Sequence, residues 1–203
     1  PDPTGRYDDG RAFELVHGLM DRLGIDRTAL IGNSVGGRIS WAFAAEHPDR
    51  VSRLVLVSPD GFASAGFEYG EAPEVGPVTH AMRFVLPRVL VRVNLEASYG
   101  DPDRLVEGTV QRYHDLLRAP GARRALIRRL EQTVLEDPRP RLERITAPVL
   151  LLWGEEDGLI PVSNAQDYRA HLPDAELVTL DGVGHLPQEE VPERSLEPVD
   201  AFL

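Results

Sequence analysis

Four stretches of this chain predict strands: "TALIGN" at 28–33, "RLVLVSP" at 53–59, "APVLLLWG" at 147–154 and "AELVTL" at 175–180. The second and third are apolar without interruption. A strand with one wet face alternates apolar and polar residues, so continuous runs mark a sheet covered on both faces. The segments between them carry the helical period. In 7–23, Phe13, Val16, Leu19, Met20 and Leu23 recur every three or four positions and Gly24 follows as a stop. Residues 34–47 predict a second helix, closed before Pro48, and "PVSNAQDYRAHL" and "VPERSLEPVDAFL" predict two more. Strand, helix, strand, helical insertion, strand, helix, strand, helix is the order of an α/β fold with a mostly parallel sheet. The insertion is rich in Gly, Pro and Arg, and its "DPDRLVEGTVQRYHDLL" and "GARRALIRRLEQTV" read as helices. The expected organisation is core at 1–61, a helical insertion at 62–140 and core again at 141–203.

Composition removes several chemistries. The 203 residues are enough for one domain with a sizeable core. Cysteine is absent, which excludes disulfides, thiolate metal sites and a cysteine nucleophile. All 22 basic residues are arginine, which excludes a Schiff-base or phosphate-loop lysine. A net charge of −11 repels nucleic acid and anionic membranes. No apolar run is long enough for a transmembrane helix. His17, His47, His80, His114 and His171 are scattered without metal-ligand spacing, so no metal and no cofactor is expected. No secretory signal is visible in a chain that opens without Met, and a cytoplasmic location is the expectation.

The first strand ends in "GNSVG", with Gly32, Ser34 and Gly36 in the pattern G-x-S-x-G. A nucleophile on a sharp strand-to-helix turn needs small residues two before and two after it. The turn also sets Ser34 at a helix N-terminus, where free N–H groups favour developing negative charge, and the Val35 N–H is the expected oxyanion donor. There is no G-x-G-x-x-G and no Gly-Lys-Ser, which argues against a phosphate cradle. A serine nucleophile needs a base, and the base needs an orienting acid. "LLLWGEEDGLIPV" delivers Glu155, Glu156 and Asp157 beyond one strand, and "LVTLDGVGHLPQEE" delivers His185 beyond the next. The chain order Ser34, Asp157, His185 is that of the hydrolase elbow fold. All three fall at strand C-termini, where open α/β sheets build their sites. Asp60, after the second strand, is the rival acid.

Taken together, the chain resembles the C-terminal part of an α/β-hydrolase fold enzyme. "GNSVGGRISWAFAAEHPDRVSRLVLVSP" is similar to that family's elbow, following helix and next strand. "ITAPVLLLWGEEDGLIPV" resembles its acid loop, and "DGVGHLPQEEVPERSLEPVDAFL" its histidine loop and final helix. The resemblance implies Ser34 as nucleophile, His185 as general base, Asp157 as acid, and the insertion as a cap over the pocket. It also implies strands and a second oxyanion loop upstream of the elbow, so this chain is expected to be an N-terminally truncated domain. Asn33 and Trp153 are candidate substrate-binding residues, although the favoured reading of Asn33 is that it satisfies the turn and that of Trp153 is core packing. The arginines at 118, 123, 124, 128 and 129 read as a solvated cap face, with a receiver for a substrate carboxylate or an anionic surface as the alternative. Phe67, Phe84, Val85 and Leu86 would line an acyl site or form cap core. The implied partner is a small molecule with an acyl or carbonyl group. The default reaction is ester hydrolysis through an acyl-enzyme. The elbow and cap also resemble the hydrolases that cleave carbon–carbon bonds in ring-cleavage dienoic acids, although Leu186 stands where that group frequently has Trp. A non-catalytic hydrolase-like binding fragment is the reading from a different class.

Overall fold

Each strand of the core runs the same way because a helix carries the chain back to the starting edge. The computed structural model describes residues 2, 4–63, 68–70, 72 and 74–203, so Phe67 lies outside the described residues. Helix α1 (Asp9–Leu23) leads into β1 (Thr28–Asn33), α2 (Val35–Glu46) and β2 (Val51–Val57). The insertion follows, with α3 (Pro77–Ala81), α4 (Arg88–Glu96), α5 (Glu107–Arg118) and α6 (Ala122–Gln132). Then come α7 (Arg139–Leu142), β3 (Val149–Gly154), α8 (Asn164–His171), β4 (Ala175–Leu180), α9 (Pro187–Glu190) and α10 (Pro192–Phe202). The sheet order is β1-β2-β3-β4, and every pairing is parallel.

Helix ends follow local chemistry. Helix α1 starts at Asp9 rather than Tyr7 because the Asp8 side chain caps it, accepting from Arg11 N at 2.8 Å. It stops at Gly24, whose φ of 68° is left-handed and suits glycine.

The continuous apolar runs are explained by two cores, one on each face. Leu54, Leu56, Val149, Leu151 and Trp153 point to one face, where α1, α2, α7 and α8 supply Met20, Phe43, Leu142 and Tyr168. The alternate residues Val55, Val57, Leu150 and Leu152 point to the other face, where Val199 and the flanking Val191 and Phe202 cover them. Strand β3 is buried at every position and β1 is not. Among the described residues β1 pairs only with β2, and Ile31 is 55% exposed. Burying a Leu or Val side chain fully contributes roughly 1.5–3 kcal/mol, so β2 and β3 hold the sheet together and β1 is its weaker edge.

The insertion has its own cluster of Leu86, Val91, Leu95, Tyr99, Leu105 and Val110. Helix α4, which the sequence pattern did not reveal, supplies Val91 and Leu95 to it. Its ends are tied by a bridge between Tyr69 and Leu135. No helix is long and apolar enough to cross a membrane among the described residues.

Candidate active site

Ser34 occupies the turn between β1 and α2 with φ 55° and ψ −121°. Left-handed φ in a residue with a Cβ costs on the order of 1–3 kcal/mol and persists only where surroundings enforce it. Here they do. Ser34 N donates to Val57 O at 2.9 Å, while Ser34 O accepts from Arg38 N and Asp60 N, each at 3.0 Å. The turn is tight enough that a Cβ on Gly32 would lie 2.3 Å from Gly36 O. Gly36 itself has open space around its Cβ direction, whereas a Cβ on Gly37 would meet Pro59 Cβ at 2.8 Å. The motif reading that the residues two before and two after must both be small therefore needs correction. Gly32 and Gly37 are the positions that packing forces, and Gly36 is not.

Helix α2 begins at Val35, and among the described residues its N–H makes no main-chain hydrogen bond outside the helix. It is one of the free donors every helix start carries, beside the serine. Ser34 is half-buried.

Beyond β3, the Asp157 carboxylate turns inward. Oδ1 accepts from Leu159 N at 2.9 Å and Ile160 N at 2.8 Å. Oδ2 lies 2.8 Å from His185 Nδ1. Burial pushes the Asp157 carboxyl up, but the hydrogen bond and charge of His185 and the two N–H groups outweigh it, holding its pKa below the ordinary carboxylate value. An ionised carboxylate only accepts, so Nδ1 carries the proton and Nε2 is left free to act as a base. Its rivals are elsewhere. Glu155 accepts from Thr179 Oγ1 at the surface, and Asp60 pairs with Arg38 at 3.5 Å. Burial pushes the Asp60 carboxyl up against the pull of Arg38. The structure thus brings Asp157 and His185 together. Among the described residues no hydrogen bond joins Ser34 Oγ to His185, and side chains in catalytic contact often tighten only when substrate is bound.

His185 is held from below. Its N–H donates to Ser98 O at 2.8 Å, at the exit of α4. A Cβ on Gly184 would lie 2.4 Å from Gly100 N, so this crossing of two loops requires glycine. Asn33, expected at the substrate or the turn, uses its amide group on the main chain: Nδ2 donates to Val57 O at 3.0 Å and to His185 O at 3.1 Å. It connects the elbow to the histidine loop. Trp153 is fully buried, and its Nε1 donates to Ile160 O at 2.9 Å. The structure places it in the core cluster, with its ring bonded to the main chain of the Asp157 loop. Ser98 went unnoticed in the sequence, because a main-chain acceptor leaves no residue signature.

The arginines of α6 disperse. Arg123 Nη1 donates to Phe84 O at 3.1 Å, Arg128 pairs with Glu131, and Arg129 is partly buried near Arg38, Asp9 and Asp60. Phe84 and Val85 are exposed, and Leu86 is in the insertion core. A cavity of about 520 Å³ lies between α1, α2 and residues 132–136, and none of Ser34, Asp157 and His185 lines it.

A strained serine at a strand-to-helix turn, with an acid and a histidine after the next strands, invites comparison with known proteins. The 2-hydroxy-6-oxo-6-phenylhexa-2,4-dienoate hydrolase of Burkholderia cepacia is 30% identical over 179 residues, which is 86% of this chain and 62% of that protein. The chain thus spans less than two thirds of that relative. The 2-hydroxy-6-oxononadienedioate/2-hydroxy-6-oxononatrienedioate hydrolase of Paraburkholderia phymatum is 30% identical over 213 residues, 98% of this chain and 70% of its own length. Among solved structures, the 2-hydroxy-6-oxo-6-phenylhexa-2,4-dienoate hydrolase of Rhodococcus sp. strain RHA1 superimposes with a TM-score of 0.77 at 24% identity, covering 96% of this chain and 70% of that one, a likeness of fold. A family model described as the alpha/beta hydrolase fold matches residues 1–192. Strand order, elbow and sequence similarity agree, and the chain belongs to the alpha/beta hydrolase fold family.

Proposed function

We propose that the protein is a serine hydrolase in which Ser34, His185 and Asp157 form a catalytic triad acting on a carbonyl group of a small molecule. The observation that carries this reading is the buried 2.8 Å contact from His185 Nδ1 to Asp157 Oδ2, on a loop whose main chain Asn33 ties to the elbow that holds Ser34 at φ 55°. In this reading, Nε2 of His185 removes the Ser34 proton as Oγ attacks the carbonyl carbon. Asp157 keeps the proton on Nδ1 and stabilises the imidazolium that forms. The Val35 N–H, with the start of α2 behind it, receives the oxyanion. His185 then protonates the leaving group, and water, activated by the same nitrogen, releases the acyl-enzyme.

For a carboxylic ester the leaving group is an alcohol. The second reading is carbon–carbon bond hydrolysis of a 2-hydroxy-6-oxo-dienoate, in which a carbon leaves and must accept the proton. Its support is the names of the relatives, several of which are dienoate hydrolases at 30% identity. Leu186, which follows His185, departs from the Trp frequent in that group.

The test is capture by a fluorophosphonate followed by intact-mass measurement, on the native chain and on Ser34→Ala. A single adduct mapping to Ser34, absent from Ser34→Ala, is the result expected. Failure of a folded native chain to react would sink the triad reading. A panel of p-nitrophenyl esters and 2-hydroxy-6-oxo-dienoates then separates the two substrate classes.

A further inference from the structure

The histidine loop and the insertion meet on one buried carboxylate. Glu190 ends α9, five residues after His185, and its side chain is 0% exposed. Oε2 accepts from Gly184 N at 2.8 Å and from Gly100 N at 3.1 Å. Oε1 accepts from Asp101 N at 2.9 Å and from Arg104 Nη1 at 3.3 Å. Four donors thus converge on two oxygens, three of them main-chain N–H groups and only one a cation, itself partly exposed. One donor belongs to the residue preceding His185. The others belong to residues 100–104, just beyond the Ser98 carbonyl that holds His185 N.

We propose that Glu190 is a positioning residue for the general base: its carboxylate pins Gly184 to Gly100 and Asp101, and so fixes where His185 stands relative to Asp157. This rests on the reading of His185 as the base. The chemistry requires a carboxylate at this position. Charge-assisted hydrogen bonds to main-chain N–H groups are roughly twice as strong as neutral ones. A glutamine offers one acceptor oxygen, and its NH₂ would face two of the N–H donors. Glu189, next to it, is turned to the insertion instead: it pairs with Arg112 and accepts from Tyr113 OH at 3.1 Å. The two neighbouring acids therefore divide the work. Glu189 joins the loop to α5, and Glu190 joins it to the main chain beneath the histidine.

The experiment compares the native 203-residue chain with Glu190→Gln, Glu190→Asp and Arg104→Ala. Three readouts are taken: fluorophosphonate capture rate at Ser34, amide hydrogen exchange at Gly184, and the far-downfield proton resonance of His185 Nδ1–H hydrogen-bonded to Asp157. A role confined to stability would lower the melting temperature and leave that resonance in place. Glu190→Gln is expected to lose the resonance, to expose the Gly184 amide to exchange, and to slow capture about 10²-fold, as misplacement of a reacting group by about 1 Å does. Glu190→Asp keeps both oxygens and is expected to recover part of the rate. Arg104→Ala removes only the exposed partner and is expected to keep the resonance. Should Glu190→Gln fail to fold, Glu190→Asp carries the comparison. Native resonance and native Gly184 exchange in a folded Glu190 variant would overturn the proposal. Absence of capture by the native chain would count against the triad, while the resonance and the exchange would still decide the role of Glu190.

Discussion

The pair Gly32→Ala and Gly36→Ala tests the geometry of the elbow, because the sequence motif treats the two positions alike and the structure does not. A Cβ at 32 would sit 2.3 Å from Gly36 O and 2.6 Å from Ser40 Oγ. A carbon and an oxygen at ordinary contact are about 1 Å further apart. The opposing atom is main chain at the start of α2, so the helix must move. Overpacking of this kind costs about 1–3 kcal/mol, and a rigid opponent places it near the upper end. A change of about 1 kcal/mol shifts the melting temperature of a domain this size by about 2–4 °C, so Gly32→Ala should melt about 6–12 °C lower. At 36 a Cβ meets nothing within 4 Å and the residue lies in the first turn of a helix. Replacing such a glycine by alanine stabilises by about 0.5–1 kcal/mol, a rise of a few degrees at most. The assay is thermal and urea unfolding of the two variants beside the native chain. Equal destabilisation by both would refute the packing argument and restore the symmetrical reading of the motif.

Three further outcomes follow from geometry already described. Ser34→Gly should abolish fluorophosphonate capture yet stabilise the fold by about 1 kcal/mol, because glycine accepts the left-handed φ, while Ser34→Ala abolishes capture without that gain; urea titration distinguishes them. Asp157 has a folded pKa below its unfolded value, so its stabilisation is present above about pH 4 and is lost as pH falls through the folded value. Asp157→Asn should therefore flatten the acid limb of the stability curve, and should cut turnover by about 10⁴-fold, measured by acid titration and by steady-state rates. Ile31 on the edge strand is exposed, and such edges pair with other chains; the chain is expected to self-associate through β1 and Ile31→Lys to reduce this in sedimentation velocity, while a monomeric native chain or an unchanged profile would refute the edge contact.

What could be read from the residues was what depends on neighbours in the chain. "TALIGN" and "AELVTL" became strands over those same residues, and of the three acids that "LLLWGEEDG" delivers it is Asp157 that meets His185. Helix α4 escaped because three of its nine residues are valine, a modest helix former, and its pattern looks mixed until Val91 and Leu95 are seen to share one buried face. Trp153, at a strand end, read as packing with pocket lining as the alternative, and it is fully enclosed in the core. Glu190 was unreadable for a stronger reason. Gly100 and Asp101, which donate to it, are about 90 positions away in sequence, and nothing in "PQEEVP" tells one acid from the other.

The two-faced sheet also says something about how this molecule comes into being. One face of β2 and β3 is closed by elements spread along the chain, from Met20 to Leu172. The other is closed, among the described residues, by side chains that all come late in the chain, from Val178, Leu180 and Val183 to Val191, Val199 and Phe202. Until those residues have left the ribosome, Val55, Val57, Leu150 and Leu152 lack their cover, and the half-built sheet offers a sticky apolar face. Assembly is therefore a late, cooperative event rather than a progressive one. A stalled nascent chain that ends before residue 191 is a natural client for a chaperone.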